Sequence, residues 1–231
     1  MAVDFLLLQR YPAPGAPRFR HYEWRGPAFT FGFGQRIEFV RAHLPSFAEA
    51  SEGRPAGDVF DLCRRPTGGG IVDHRNDWTY TLVLPRGHPL YDERAPQSYR
   101  AVHECLAGAL RALGQPAEVK QACEPCDAAA SAGPGVCFQR AELYDVVNTA
   151  TGAKIAGAAQ KRNKRGLLFQ GSVGQASVGP VDWEELAAGF TAALGRALGC
   201  EPQQTPWPEW NEDEVAGLTE QYASPEWIAC R

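Results

Sequence analysis

Apolar and polar positions alternate most cleanly in Trp78-Thr79-Tyr80-Thr81-Leu82-Val83-Leu84. There Trp78, Tyr80, Leu82 and Leu84 share one face and β-branched residues dominate the other, a pattern that predicts a strand stopped by Pro85 and Gly87. Residues 21–24 and 28–33 read as two earlier, shorter strands, the second with alternating aromatics. Gly34-Gln35 then leads into a predicted helix over 36–50. Three- and four-residue steps follow: Tyr99, Val102, Leu106, Leu110 and Leu113 form one helix face, closed by Gly114 and Pro116. A second helix is predicted over 182–198, with a capping box of Asp182 and Glu185 at its start and Gly199 in the C-cap position. Between the helices, 143–147, 154–160 and 167–173 read as a strand meander. Strands grouped around inserted helices predict an α+β fold, one domain over residues 1–231 with a mixed or mainly antiparallel β-sheet flanked by helices.

Composition narrows the function classes. A chain of 231 residues suits one large domain or two small ones, and no linker divides it. Lys and Arg number 23 against 27 Asp and Glu, a net charge of −4, which argues against a general nucleic-acid or membrane-surface binder. The apolar run Phe5-Leu6-Leu7-Leu8 is too short for a secretory leader, and no stretch approaches a membrane span. Seven cysteines, an odd number, are therefore expected as free thiols in a reducing, cytoplasmic compartment.

Familiar chemical signatures fail. Gly32-Phe33-Gly34 lacks the third glycine of a dinucleotide fingerprint, no P-loop occurs, and the Gly171–Gly174 segment is one residue short of a nucleophile elbow. Cys123 and Cys126 have no second Cys or His pair at finger spacing, so they read as loop thiols and no metal site is expected. Three other segments carry candidate chemistry. Arg64-Arg65-Pro66-Thr67-Gly68-Gly69-Gly70 lets backbone N–H groups approach an anion or a carbonyl oxygen, with His74 close behind; its bland reading is a connecting loop. Lys154 stands among small residues, where its ammonium could reach a buried carbonyl; it could equally be an exposed strand lysine. Cys137 lies in a Gly/Ala/Pro-rich stretch and is either a nucleophile or an inert packing thiol.

In their order, these stations resemble the biotin/lipoate protein ligase and octanoyltransferase superfamily over nearly the whole chain. The series comprises the strand pair ending in Gly32-Phe33-Gly34-Gln35, the glycine loop, residues 78–84, 154–160, Phe169-Gln170-Gly171-Ser172 and a closing Tyr222-Ala223-Ser224-Pro225-Glu226-Trp227. The resemblance implies attachment of a lipoyl-type acyl group to a lysine of a carrier domain, the acyl chain running into an apolar tunnel beside the sheet. It implies catalytic roles for Cys137 and Lys154. Substrate binding would fall to Arg65, Thr67, Gly68, Gly69, Gly70, His74, Gly157, Ala158 and Gly171. Arg-Arg-Pro-Thr-Gly-Gly followed by Trp78-Thr79 looks closer to cysteine-dependent octanoyltransferases, which need no cofactor. Gly70 gives the three-glycine, ligase-like form, which leaves open an ATP- and Mg-dependent lipoate ligase. A catalytically silent acyl- or biotinyl-binding module is the non-enzymatic alternative. Expected partners are acyl carrier protein and lipoyl domains such as glycine cleavage H protein or 2-oxoacid dehydrogenase E2, with no nucleic acid or membrane. Arg64, Arg65 and the basic turn over 161–165 are candidate docking charges for acidic carriers; the turn reads equally well as a solvated hairpin end.

Overall fold

A computed structural model describes residues 1–10, 15–44, 60–122 and 140–230. Helix α1 (Ala2–Arg10) is followed by strands β1 (Arg18–Tyr22) and β2 (Ala28–Phe31), helix α2 (Ile37–Ala42), and strands β3 (Asp61–Arg64), β4 (Val72–Asp73) and β5 (Asp77–Pro85). Helices α3 (Pro89–Asp92) and α4 (Ala95–Ala112) lead to β6 (Ala117–Val119), β7 (Val146–Asn148), β8 (Lys154–Asn163) and β9 (Gly166–Gly174). Helices α5 (Trp183–Leu198), α6 (Glu212–Ala223) and α7 (Pro225–Ala229) complete the described chain. Six strands form one antiparallel sheet in the order β1-β5-β9-β8-β7-β6. A second sheet, β3-β2-β4, is mixed: β2 runs parallel to β3 and antiparallel to β4. The α+β expectation holds, with the strands divided between two sheets.

One face of the large sheet is the core. Trp78, Tyr80, Leu82 and Leu84 of β5 pack with Phe169 of β9 against Val102, Leu106 and Leu110 of α4 and Leu186 and Phe190 of α5. The opposite face is also buried, because Leu7 and Leu8 of α1 lie over Val83 and Leu168. Residues 5–8 are thus part of a helix that seals the sheet. Beyond that apolar contact the same face turns polar while staying buried: Asp77, Thr79, Thr81, Gln170 and Ser172 are all at most 6% exposed. Register places them side by side, Thr79 opposite Ser172 and Thr81 opposite Gln170. Buried polar side chains need partners: Thr67 of the glycine loop bonds Gln170, and His74, just after β4, bonds Asp77.

Several expected bounds shift for local reasons. The early strand lies at 18–22 rather than 21–24, and the second stops at Phe31, where the chain turns through Gly32 and Gly34. The helix expected over 36–50 covers Ile37–Ala42, and residues 45–50 lie outside the described residues. The strand expected over 143–147 starts only at Val146, because Tyr144 adopts a left-handed φ of 67°. The helix over 182–198 stands: Asp182 accepts from the N–H groups of Glu184 and Glu185, and Gly199 closes it at φ 67°.

Arg64 and Arg65 are not surface docking charges, being 0% and 5% exposed. The Arg64 guanidinium donates to the carbonyls of Phe33, Gln35 and Ile228 at 2.7–2.8 Å, and Trp227 Nε1 returns a bond to the Arg64 carbonyl at 2.9 Å. Tyr222 meets Trp227 edge to face at 5.1 Å, so the closing aromatic pair and Arg64 together fasten α6 and α7 to the small sheet. Arg162, Lys164 and Arg165, in contrast, are exposed at the β8–β9 hairpin end.

Candidate active site

The glycine loop starts where β3 ends and is laid along the end of β2. Arg65 N donates to Phe31 O and Phe33 N to Thr67 O, both at 2.8 Å. Gly32 permits this approach, since a Cβ there would stand 2.1 Å from the Gly69 carbonyl oxygen. Gly69 itself has φ 87°, a conformation glycine adopts without steric cost. Arg65 then clamps the loop from inside: its guanidinium donates to Gly68 O at 3.0 Å, Gly70 O at 2.7 Å and Thr30 Oγ1 at 2.6 Å. Thr67 Oγ1 donates to Gln170 Oε1 at 2.9 Å, and Gln170 Nε2 donates to Asp4 Oδ2 at 2.8 Å. Burial works to raise the Asp4 pKa, but the Met1 ammonium, Arg20 and the Gln170 amide hold the carboxyl below its ordinary range. A carboxylate on α1 therefore fixes which way the amide of β9 faces, and the amide fixes Thr67.

A second chain of bonds runs beneath the loop. His74 Nε2 lies 2.7 Å from Thr30 Oγ1 and His74 Nδ1 lies 2.6 Å from Asp77 Oδ2. Asp77 accepts from Nδ1–H, so in the neutral ring Nε2 accepts from the Thr30 hydroxyl, whose oxygen in turn accepts from Arg65. Burial pushes the His74 pKa down against the opposing pull of Asp77, which favours the neutral ring. Ser172 Oγ and Thr79 Oγ1 also donate to Asp77, and Trp24 stacks on the imidazole at 4.3 Å.

Lys154 completes the constellation from β8. Its Nζ pairs with Asp145 Oδ2 at 2.7 Å, and both side chains are under 10% exposed. Gly157 makes room for the pair: a Cβ there would fall 2.7 Å from Lys154 Cε and Nζ and 2.9 Å from Asp145 Oδ1. Likewise Gly171 leaves space for the Tyr80 ring, whose Cζ would be 2.1 Å from a Cβ. These elements enclose one pocket between the sheets, with Arg65, Gly69, His74, Lys154, Gly157 and Gly171 in its wall and Val72, Ala158 and Ala159 contributing apolar surface. Chemically it offers a fixed ammonium and a rigid loop of peptide groups beside an apolar lining, a setting for stabilising negative charge on an acyl oxygen.

Residues 1–177 match the family model of the lipoyl protein ligase A/B catalytic domain. The chain belongs to this family. Among relatives of the domain, the octanoyltransferase LipM of Bacillus cereus is 32% identical over 176 residues, covering 75% of this chain and 59% of that protein. The octanoyltransferase LipM of Macrococcus caseolyticus is 30% identical over 190 residues, covering 80% and 63%. The chain thus spans roughly three fifths of the curated relatives it matches. In structure, this lipoyl ligase-type domain is similar to a lipoate-protein ligase A bound with ATP, with TM-score 0.73, 18% identity, and coverage of 99% of this chain and 92% of that one. It is also similar to a bi-partite lipoate protein ligase of Thermoplasma acidophilum, described with its E2 lipoyl domain, with TM-score 0.72, 18% identity, and coverage of 100% and 91%. At these identities the structural likeness speaks for the fold.

Of the residues singled out by the family pattern, Arg65, Gly69, His74, Lys154, Gly157, Ala158 and Gly171 all line the pocket of this lipoyl ligase-type domain. Thr67 contacts it through Gln170, while Gly68 and Gly70 turn their carbonyls to Arg65. Cys137, with Cys123 and Cys126, lies outside the described residues. Sequence reasoning missed Thr30, Asp77, Asp145, Gln170 and Ser172 as site residues. Asp145 carried a signal, being a charge inside an otherwise apolar Tyr-Asp-Val-Val segment, and so did Asp4 within the apolar start of the chain. Among the described residues no group of three or more His, Cys, Asp or Glu could hold a metal ion, and no helix is long and apolar enough to cross a membrane.

Proposed function

We propose that this domain transfers an octanoyl group from acyl carrier protein to a lysine of a lipoyl domain through a thioester on Cys137. The observation that carries the reading is the shared pocket of Lys154, held by Asp145, and the Arg65-clamped glycine loop. The LipM relatives add the acyl group and the reaction class. In the first step the Cys137 thiolate attacks the octanoyl thioester carbonyl, and the carrier's thiolate leaves. In the second, the acceptor lysine amine attacks the Cys137 thioester, forming the amide and releasing the cysteine thiol, which takes the amine's proton. Lys154 and the N–H groups of the glycine loop stabilise the oxyanion in each step, an effect worth about 3–4 kcal/mol per well-placed donor. The alkyl chain rests on Ala158, Ala159 and Val72. Arg162, Lys164 and Arg165, exposed at one hairpin end, suit the acidic surfaces of both carriers.

The test is intact-protein mass spectrometry after incubation with octanoyl-acyl carrier protein. An octanoyl adduct is expected on the native chain and not on Cys137→Ser, with transfer to a lipoyl domain lost in the variant. Transfer that survives in Cys137→Ser refutes the thioester route. Pyrophosphate release dependent on ATP and free octanoate or lipoate would assign the chain to the ligases, the reading that the third glycine, Gly70, favours.

A further inference from the structure

Tyr144 is the single non-glycine residue with a left-handed φ among the described residues. A bulky side chain in that region is strained and persists only where its surroundings over-determine it. Here they do. Tyr144 N–H donates to Lys120 O at 2.9 Å, Asp145 N–H to Glu142 O at 3.1 Å, and Lys120 N–H to Asp145 O at 2.9 Å. The Tyr144 carbonyl is taken by a side chain from another layer: His103 Nδ1, on α4, lies 2.6 Å from it. The residue straight after this strained unit is Asp145, whose Oδ2 accepts from Glu142 N–H at 2.7 Å and from Lys154 Nζ at 2.7 Å.

His103 is 1% exposed, and among the described residues its Nε2 has no hydrogen-bond partner. An unpartnered polar atom in the interior is unfavourable, and an apolar side chain of similar size would avoid it. What the imidazole contributes is therefore the Nδ1–H bond. A carbonyl partner requires Nδ1 to carry the proton, and burial of an unpartnered Nε2 disfavours a second proton there, which would leave a charged ring in the interior. The ring is then the neutral Nδ1–H tautomer, the minor form of free imidazole side chains. Burial pushes its pKa down, opposed by the Tyr144 carbonyl and Asp145, with Lys154 adding to the fall.

We infer that His103 is a positioning residue: through one hydrogen bond to the strained Tyr144 peptide it sets Asp145, and through Asp145 it sets the Lys154 ammonium in the pocket. His103 does not line the pocket, and its influence travels from α4 through the β6–β7 connection to β8. The inference deepens the acyl-transfer reading and rests on it only where activity is measured.

Three measurements on the full chain test it. Nitrogen-15 NMR of the wild-type imidazoles should show His103 as Nδ1–H near neutral pH. In His103→Leu, kcat for octanoyl transfer should fall about tenfold or more at unchanged KM, as misplacement of a catalytic group by a fraction of an ångström predicts. Amine-reagent labelling of Lys154, read by peptide mass spectrometry against the exposed Lys164, should rise severalfold in the same variant. His103→Asn can offer its amide N–H where Nδ1–H stood, and should restore most of both readouts. An Nε2–H or charged His103 overturns the inference. So does wild-type kcat and labelling in His103→Leu, or a loss in His103→Asn as large as in His103→Leu with both folded. If His103→Leu fails to fold, the tautomer and His103→Asn decide. If the wild type transfers no octanoate, the functional reading falls while labelling and tautomer still decide the role of His103.

Discussion

Replacing Gly157 by Ala separates the geometry of the site from the stability of the fold. The added methyl would stand 2.7 Å from Lys154 Cε and Nζ and 2.9 Å from Asp145 Oδ1, whereas ordinary contact begins near 3.4 Å. Something must yield by about 0.7 Å, and the yielding atoms are the far end of a flexible lysine rather than backbone. The φ of Gly157 is not in the left-handed region, so Ala is also compatible with the strand and restricts the unfolded chain, a gain of about 0.4–1 kcal/mol. That gain offsets part of the loosened Lys154–Asp145 contact, and the melting temperature is expected to move by only a few degrees. Catalysis has no such compensation. On the proposed mechanism a displaced ammonium would meet the oxyanion at poorer distance, and misplacement on the scale of 1 Å costs up to about 10²-fold. The assay is single-turnover transfer of octanoate alongside thermal unfolding. Gly157→Ala should lose roughly 10- to 100-fold in rate while staying folded. Wild-type transfer by the variant, or destabilisation of several kcal/mol, would refute the reasoning.

Gly171→Ala should do the reverse of Gly157→Ala at the level of stability, because its methyl would overlap the ring of the wholly buried Tyr80; a loss of about 1–3 kcal/mol is expected in urea denaturation. Asp145→Ala removes the carboxylate paired with a buried ammonium and should cost about 3–5 kcal/mol, with much of that recovered in the double variant Asp145→Ala/Lys154→Met, where neither charge remains; equal stability of the single and double variants would contradict this. Burial holds both His74 and His103 below the ordinary histidine pKa, so the unfolded chain takes up protons before the native one. Their contribution is complete above about pH 6.5 and is lost as pH falls, at up to about 1.4 kcal/mol per pH unit for each imidazole. Urea midpoints measured downward from neutrality should therefore decline, and a midpoint flat through the weakly acidic range would exclude neutral burial of the two rings.

The long periodic elements were legible because their pattern is a property of contiguous residues. Trp78 to Leu84 alternates with the pleat, and the faces of α4 and α5 recur every three or four positions whatever surrounds them. Glycines 68–70, Lys154 and Gly171 could be singled out for the same reason: their neighbours in sequence make the motif. What sequence could not reveal are relations between residues far apart. Asp4 reaches Gln170 and thence Thr67 across three elements, and Asp77 joins His74 to Ser172. Arg65 reads as a solvated charge until the fold closes the loop carbonyls around it. The strand expected at 143 gives way to a left-handed Tyr144, a conformation its local preference opposes and bonds with Lys120, Glu142 and His103 surround. Local periodicity thus determined the long helices α4 and α5 and the long strand β5, while α1, α6 and α7 escaped it. The direction of each buried charge was decided by tertiary structure, because a desolvated ion takes its partner from whatever the fold brings within hydrogen-bond reach.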